Sequence, residues 1–410
     1  MNEKKGRGFS RREFIKLAGG TAALAMTTPA LASCRALGGA GTGPVKIGLL
    51  LPYSDIYAVL GESITEAIKM YFDEVGNEAG GRQIEFIQED TEIAPDVAQQ
   101  KAIKLVEQDE VDLVAGIVSS GVLIGLRDYF HENQKLLIVA NAGANPLSRD
   151  LKSPYIWRTS FTNWMAPFSM GGWAPENVGT RAAISVPDYA AGENNVTGFT
   201  HSYEEAGGEV VLVQRTPFPN MGDPAPFMAE LADAGADLVY SFYSGGAAVT
   251  FVKAYSDFGL AGQLPLLAAG FMTEEDVLPT QGDAAMGIRT TLHWSFVLDN
   301  PENNAFKEAF QERSGRDADV FAVQGYDTGR VIAEMLDRVE GDTSDVDGMI
   351  EALDGISFAS PRGPFTLDST SQSPRHNEYL REVQEVGGEL HNAVLDNFGE
   401  IVDPGDNSMG

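Results

Sequence analysis

The chain has 410 residues, which is too many for one small core and suits about two or three domains of ~150 residues each. Hydrophobic residues make up 43% and charged residues 21%, the balance of a globular protein rather than a disordered one. Acidic residues outnumber basic ones 59 to 29, and the resulting formal charge of −30 repels a phosphate backbone, which excludes general nucleic-acid binding.

Residues 1–33 read as an export signal. Lys4, Lys5, Arg7, Arg11, Arg12 and Lys16 form a basic start, and residues 17–32 (LAGGTAALAMTTPALA) a mildly apolar run too short and polar to span a membrane. The join, Ser10-Arg11-Arg12-Glu13-Phe14-Ile15-Lys16, resembles the twin-arginine motif, so the twin-arginine translocase is the expected export partner. Leu31-Ala32-Ser33-Cys34 looks like a lipobox. Cys34 is the only cysteine, which excludes an intramolecular disulfide and cysteine-based zinc. A lone cysteine is commonly a small buried thiol. Its position after the apolar run points instead to lipid attachment and a body anchored outside the cell, in the periplasm or on the outer membrane face. Residues 34–44 are a Gly/Ala-rich tether. Gly39-Ala40-Gly41 precedes the first strand, so it is no nucleotide loop.

From Val45 onward, short apolar runs alternate with amphipathic ones. Strands are expected at 45–51 (VKIGLLL), 83–88, 111–116 and 135–140, with helices at about 60–75, 96–107 and 122–132 between them. The rhythm pauses over 146–175, a stretch rich in Pro, Ser and aromatics. It resumes with strands at 181–186, 209–214, 237–242 and 264–268, and with helices at about 191–206, 224–234 and 247–258. Helical patterns return at 303–313, 321–339 and 346–353, and the chain beyond Gly363 is Gly-punctuated and strand-like. Two rounds of strand–helix–strand repetition predict an α/β protein with two doubly wound parallel sheets.

Catalytic signatures are missing. There is no G-x-S-x-G, H-E-x-x-H or G-x-x-x-x-G-K-[ST]. His131, His201, His293, His376 and His391 are scattered with no i, i+4 pair, so each is expected to be a surface or core residue, with no metal and no cofactor. Asp342, Asp345 and Asp347 lack the spacing of a calcium loop and read as a solvated turn.

Open α/β sheets bind ligands at the carboxyl ends of their strands. Ser119 and Ser120 follow strand 111–116 and open a helix, where free N–H groups favour an anion. Asn141, Ala142 and Gly143 follow the next strand and admit a ligand close to the backbone. Both loops are equally compatible with ordinary capping and turn chemistry. Tyr57, Tyr189, Phe242, Tyr243, Gly270 and Phe271 stand at further strand ends, where an aromatic ring more readily lines a cleft than joins the core.

Several stretches together resemble one family. They are residues 45–54 (VKIGLLLPYS) with Tyr57, Ala58 and Gly61; Gly80-Gly81-Arg82-Gln83-Ile84; Gly116 with Ser119-Ser120; Asp188-Tyr189-Ala190-Ala191-Gly192; and Gly363-Pro364-Phe365-Thr366-Leu367-Asp368. In this order and spacing, over residues 45–402, they resemble the type I periplasmic solute-binding proteins of ABC importers, in the branched-chain (leucine/isoleucine/valine) group. The resemblance implies two lobes joined by three crossovers, near 158–161, 293–296 and 360–363. Lobe one would comprise 45–160 plus 296–360, and lobe two 161–295 plus 361–402, leaving a tail at 403–410. It further implies that Ser120 and the backbone at Ala142-Gly143 hold a ligand carboxylate, that Tyr189 closes over it, and that Tyr57, Phe242 and Tyr243 form apolar walls.

One departure bears on the ligand. Amino-acid binders of this group hold the ligand ammonium with an acidic residue in the loop after strand 264–268, which here reads Ala269-Gly270-Phe271-Met272, with Glu274, Glu275 and Asp276 beyond. The expected function is capture of a small carboxylate-bearing ligand by hinge closure and delivery to an ABC permease. The ligand is a hydrophobic or branched-chain amino acid or, alternatively, an aromatic or other organic acid or amide. Residues 158–164 (RTSFTNW) resemble the organic-acid binders. A sensory module and an exported enzyme are the rival classes. The missing catalytic signatures disfavour the enzyme.

Overall fold

The computed structural model describes residues 43–405. The expected export signal with Arg11, Arg12 and Cys34, nearly all of the tether and the last five residues of the tail lie outside the described residues.

Chain order begins β1 (Val45–Leu51), α1 (Ala58–Glu74), β2 (Glu78–Ala79), β3 (Arg82–Asp90), α2 (Pro95–Ile103), β4 (Leu113–Gly116), α3 (Ser120–Glu132), β5 (Leu137–Val139) and β6 (Ile156–Arg158). These strands form one sheet in the order β2-β3-β1-β4-β5-β6, parallel except for the β2–β3 pair. β1 is apolar but for Lys46 because it is paired on both edges and covered on both faces.

The second round is α4 (Met165–Asn177), β7 (Arg181–Pro187), α5 (Ala190–Glu205), β8 (Glu209–Thr216), α6 (Ala225–Asp233), β9 (Leu238–Ser241), α7 (Gly245–Asp257), β10 (Leu266–Ala269), α8 (Leu278–Gln281) and β11 (Arg289–Leu292). Its parallel strands run β8-β7-β9-β10-β11, the same winding as β3-β1-β4-β5-β6. In both sheets the chain starts on an inner strand and then builds in both directions. That puts a topological switch point between β1 and β4, and another between β7 and β9.

α9 (Pro301–Ser314), α10 (Val320–Arg338) and α11 (Val346–Leu353) follow, capped by the side chains of Asn300, Asp319 and Asp345. The Asp345 cap accounts for one member of the acidic turn. α10 packs against α1 so closely that a Cβ on Gly325 would stand 2.4 Å from the Ile64 carbonyl oxygen. Four strands finish the fold: β12 (Ser357–Ser360), β13 (Gly363–Asp368), β14 (Ser373–Val386) and β15 (Glu389–Ile401).

Three features differ from the sequence expectation. The second sheet is mixed, because β12 to β15 join it antiparallel through β14 on β11. Gly387 and Gly388, both with positive φ, make the tight reversal that forces this between β14 and β15. Second, Ser357–Ser360, expected in lobe one, pairs with β13 of the second sheet. Third, the pause at 146–175 holds β6 and α4. α4 contains Pro167, Gly171, Gly172 and Pro175 and so lacks helix propensity. Packing forms it instead, since Gly171 lets it approach α5 to where a Cβ would meet Ser202 Oγ at 2.2 Å.

Three fully buried arginines tie the segments between the sheets. Arg362 donates to the carbonyls of Ser160 (2.6 Å) and Thr159 (2.9 Å) and pairs with buried Asp327 at 2.6 Å. Arg381 donates to the Trp294 carbonyl (2.6 Å) and pairs with Glu274 at 2.7 Å. Arg158 donates to the carbonyls of Ala144 and Ser371. Asp327→Ala should therefore cost roughly 3–5 kcal/mol by leaving the Arg362 guanidinium buried and uncompensated. A urea melt measures this, and replacing Asp327 and Arg362 together by apolar residues should recover most of it.

Candidate functional site

Each switch point presents the loops that follow its strands. β1 runs through a short turn to Tyr57, the N-cap of α1, and α1 can sit this close because Gly61 faces the Pro52 carbonyl, where a Cβ would stand 1.8 Å away. The second round repeats the device: β7 leads to Tyr189, the N-cap of α5, and Gly192 faces the Pro187 carbonyl with room for no Cβ. β4 leads through Gly116 and Ile117, both with positive φ, to Ser119 and Ser120 at the start of α3. β9 leads to Ser244, the N-cap of α7.

These four helix starts surround a small cavity. Six rings line it: Tyr57, Phe161, Tyr189, Phe242, Phe271 and Phe321. Ser120, Asn141, Asn163 and Ser244 supply the polar groups, and Val118, Gly143 and Ala191 complete the wall. None of these residues is Asp, Glu, Lys, Arg or His. The only ionisable groups are the two phenols, and burial pushes both tyrosines above the ordinary phenol range, so they stay neutral.

None of α1, α3, α5 and α7 carries a side-chain cap, so their first-turn N–H groups remain open to a ligand. Their dipoles give the cavity a positive character with no cation in it. Ser120 Oγ accepts from Asn163 Nδ2 at 3.0 Å, which leaves its own proton for a ligand acceptor. Asn141 Nδ2 donates to Gln324 Oε1 at 2.6 Å. The two sides meet around the cavity: Tyr57 Oη lies 3.2 Å from Tyr189 Oη, and the Asn145 N–H donates to Asn194 Oδ1 at 3.0 Å. Phe218 stacks on Tyr189 with ring centroids 4.2 Å apart and holds it in place.

Of the candidates from sequence, Tyr57, Ser120, Asn141, Gly143, Tyr189, Phe242 and Phe271 converge on this cavity, while Ser119, Ala142, Tyr243 and Gly270 do not line it. Adjacent residues in extended chain point to opposite sides, so one of each neighbouring pair must face away. Tyr243 turns inward and bonds Thr216 (2.9 Å) and Ser185 (3.3 Å), Ala142 packs in the core, and Gly270 abuts Arg381. Val118, Ser244 and Phe321 line the cavity without being candidates from sequence, and Phe161, Asn163 and Ala191 line it from stretches that carry the family resemblance without themselves being named there as site residues. Ser244-Gly245 repeats the Ser-Gly start of α3 and carried a usable signal. Phe321 arrives on α10 from far along the chain and carried none.

Glu274 does not line the cavity. Its carboxylate lies against Arg381 and accepts from the Val320 N–H at 3.2 Å, and burial pushes its pKa up to about 8. Glu275 lies against His391, 3.5 Å away, in a separate surface cleft.

Residues 44–389 match the family model described as "Periplasmic binding protein". The chain belongs to the periplasmic binding protein family. This periplasmic binding protein is 34% identical over 369 residues to "Leu/Ile/Val-binding protein homolog 6" of Brucella melitensis biotype 1, covering 88% of this chain and 93% of that one. Among solved structures it is similar to an ABC-transporter solute-binding protein from R. palustris in complex with benzoate (37% identity, TM-score 0.83, 88% of this chain and 99% of that one). It is also similar to one from R. palustris in complex with 4-hydroxybenzoate (31% identity, TM-score 0.85, 89% and 100%). The binding protein therefore has the type I fold, serves an ABC transporter as its solute-binding component, and is not an enzyme.

A methyl group on Gly143 would stand 2.6 Å from both Asn163 Oδ1 and Phe161 Cε2. Gly143→Ala in the binding protein should cost about 1–3 kcal/mol of stability through overpacking, read from its thermal denaturation.

Proposed function

We propose that the protein captures a small aromatic carboxylic acid outside the cell and delivers it to an ABC permease. The observation that carries this is a ring-lined cavity ringed by open helix N-termini and without any acidic side chain. A carboxylate would sit at the start of α3 and accept from the Ser120 hydroxyl, with its ring between Tyr57, Tyr189 and the phenylalanines. An amino-acid ligand would bring an ammonium group with no carboxylate to meet it, at a cost of several kcal/mol. The benzoate and 4-hydroxybenzoate complexes of similar proteins support this reading over the branched-chain amino acids in the names of other relatives.

The lobes would divide as the sheets do, with Ser357–Ser360 going to the second. Only the closed arrangement satisfies both halves of the site, so ligand selects closure. Export through the twin-arginine route and a lipid anchor at Cys34 complete the proposal.

A thermal-shift panel of benzoate, 4-hydroxybenzoate, phenylalanine and leucine tests the ligand. Benzoate or 4-hydroxybenzoate at ~100 times its dissociation constant should add about 2.7 kcal/mol, and Ser120→Ala should weaken it by about 1–3 kcal/mol. A shift with leucine or phenylalanine and none with the acids would overturn the reading. Membrane fractionation of Cys34→Ser tests the anchor: the protein should move to the soluble fraction with its ligand binding intact, and retention would remove the lipid.

A further inference from the structure

Away from the cavity, His293, His376 and Glu378 bring three ligand atoms within 4.8 Å of one another, and all three residues are buried. His376 and Glu378 are two residues apart on β14 and so share a face. His293 follows Leu292, which is opposite Tyr379 across the β11–β14 ladder. Two convergent atoms have no hydrogen-bond partner: His376 Nε2 and Glu378 Oε1. Leaving such groups unpaired in the interior is costly, and each one calls for an explanation.

At His376 the tautomer needed for a metal is already set. His376 Nδ1 lies 3.0 Å from the Asn377 carbonyl oxygen, which can only accept, so Nδ1 carries the proton and Nε2 presents its lone pair. Donation of the second ring N–H to a backbone carbonyl is the usual support of a metal-bound imidazole. Arg362 and Arg381 lie nearby, but each is engaged by its own carboxylate, Asp327 at 2.6 Å and Glu274 at 2.7 Å. Glu378 has no salt bridge among the described residues and is the carboxylate in excess. Tetrahedral donors ~2.1 Å from zinc lie about 3.4 Å apart, so ligand atoms that now lie within 4.8 Å of one another would draw together as the ion binds.

We propose that His293, His376 and Glu378 bind one zinc ion at the junction between the sheets. Two imidazoles and one carboxylate are a zinc donor set, and a fourth position is left for water or a further protein atom. Gln324 connects this place to the cavity, with Nε2 3.3 Å from His293 Nε2 and Oε1 accepting from Asn141.

The test is metal content of the full chain carrying Cys34→Ser, which removes the thiol as a competing ligand. The protein is unfolded in chelator, refolded with zinc and dialysed. Equimolar zinc and a raised melting temperature are expected. His376→Ala and Glu378→Gln should each lower the retained zinc about tenfold or more, while His391→Ala, at the surface cleft, should leave it unchanged. Cobalt in place of zinc gives a visible spectrum that reports nitrogen and oxygen ligands even where a variant folds poorly. A chain that refolds but retains no metal overturns the proposal. So does zinc held equally by the folded His376→Ala and Glu378→Gln variants, or zinc lost with His391.

Discussion

A guanidinium in a protein interior must have its charge compensated, and three such groups constrain how the two sheets are joined. Arg158, Arg362 and Arg381 are among the largest fully buried side chains, and each is bonded to backbone carbonyls from segments distant in sequence. Arg362 alone gathers Thr159, Ser160 and Asp327. A shift of any one strand would strand a charge, at several kcal/mol, so the junction has very few arrangements available to it. The cavity inherits that definition, since Phe161 and Asn163 leave the Arg362-bound stretch directly for its wall.

Above the junction, the site is built by repetition. The two sheets wind alike, so each points a pair of helix N-termini at the same space: α1 and α3 from one side, α5 and α7 from the other. A carboxylate gains roughly 0.3–1 kcal/mol at one exposed helix start, and up to ~2 where it is partly buried. A hydroxyl donating to a charge adds about 1.5–3 kcal/mol. The proposed selectivity against amino acids would need no dedicated group. It follows from what is missing, because Glu274 is already engaged by Arg381 and the Val320 N–H.

Much of this was legible in the sequence, for identifiable reasons. β1 and its parallel neighbours are short apolar runs between amphipathic stretches, and the residues after them had to stand where ligands bind. Arg289–Leu292 was not legible, because Thr290 and Thr291 are buried through bonds to Arg381 and the Ala166 carbonyl rather than by apolar character. α4 was hidden by its prolines and glycines, which only the contact with α5 makes tolerable. Choosing between Phe242 and Tyr243, or Gly270 and Phe271, required knowing which way the alternation faced. Nor could spacing along the chain show that His293 and His376 meet, since the ladder that joins them pairs strands about 80 residues apart with α9, α10 and α11 between them.

On the proposed reading, closure of the lobes would draw much of its free energy from the ligand. The direct contacts around the cavity include the Tyr57–Tyr189 pair, the Asn145–Asn194 bond, the approach of the Ile56 carbonyl to Gly245, where a Cβ would stand 2.3 Å away, and the ring contacts of Tyr57 with Phe218 and of Phe271 with Phe321. Hydrogen bonds of this kind are worth about 0.5–1.5 kcal/mol each and exchange with water when the lobes part. They can align closure without enforcing it. Moving a two-state equilibrium from 1:99 to 99:1 takes about 5.5 kcal/mol of differential affinity. On the proposed reading, a carboxylate shared between helix starts of both lobes, with its ring among the six aromatic side chains, would supply such a difference, because the open form would lose the contacts made from one side. Neutral phenols are well suited to this closure, since they carry no charge to be desolvated and each can turn its proton toward the other or toward the ligand.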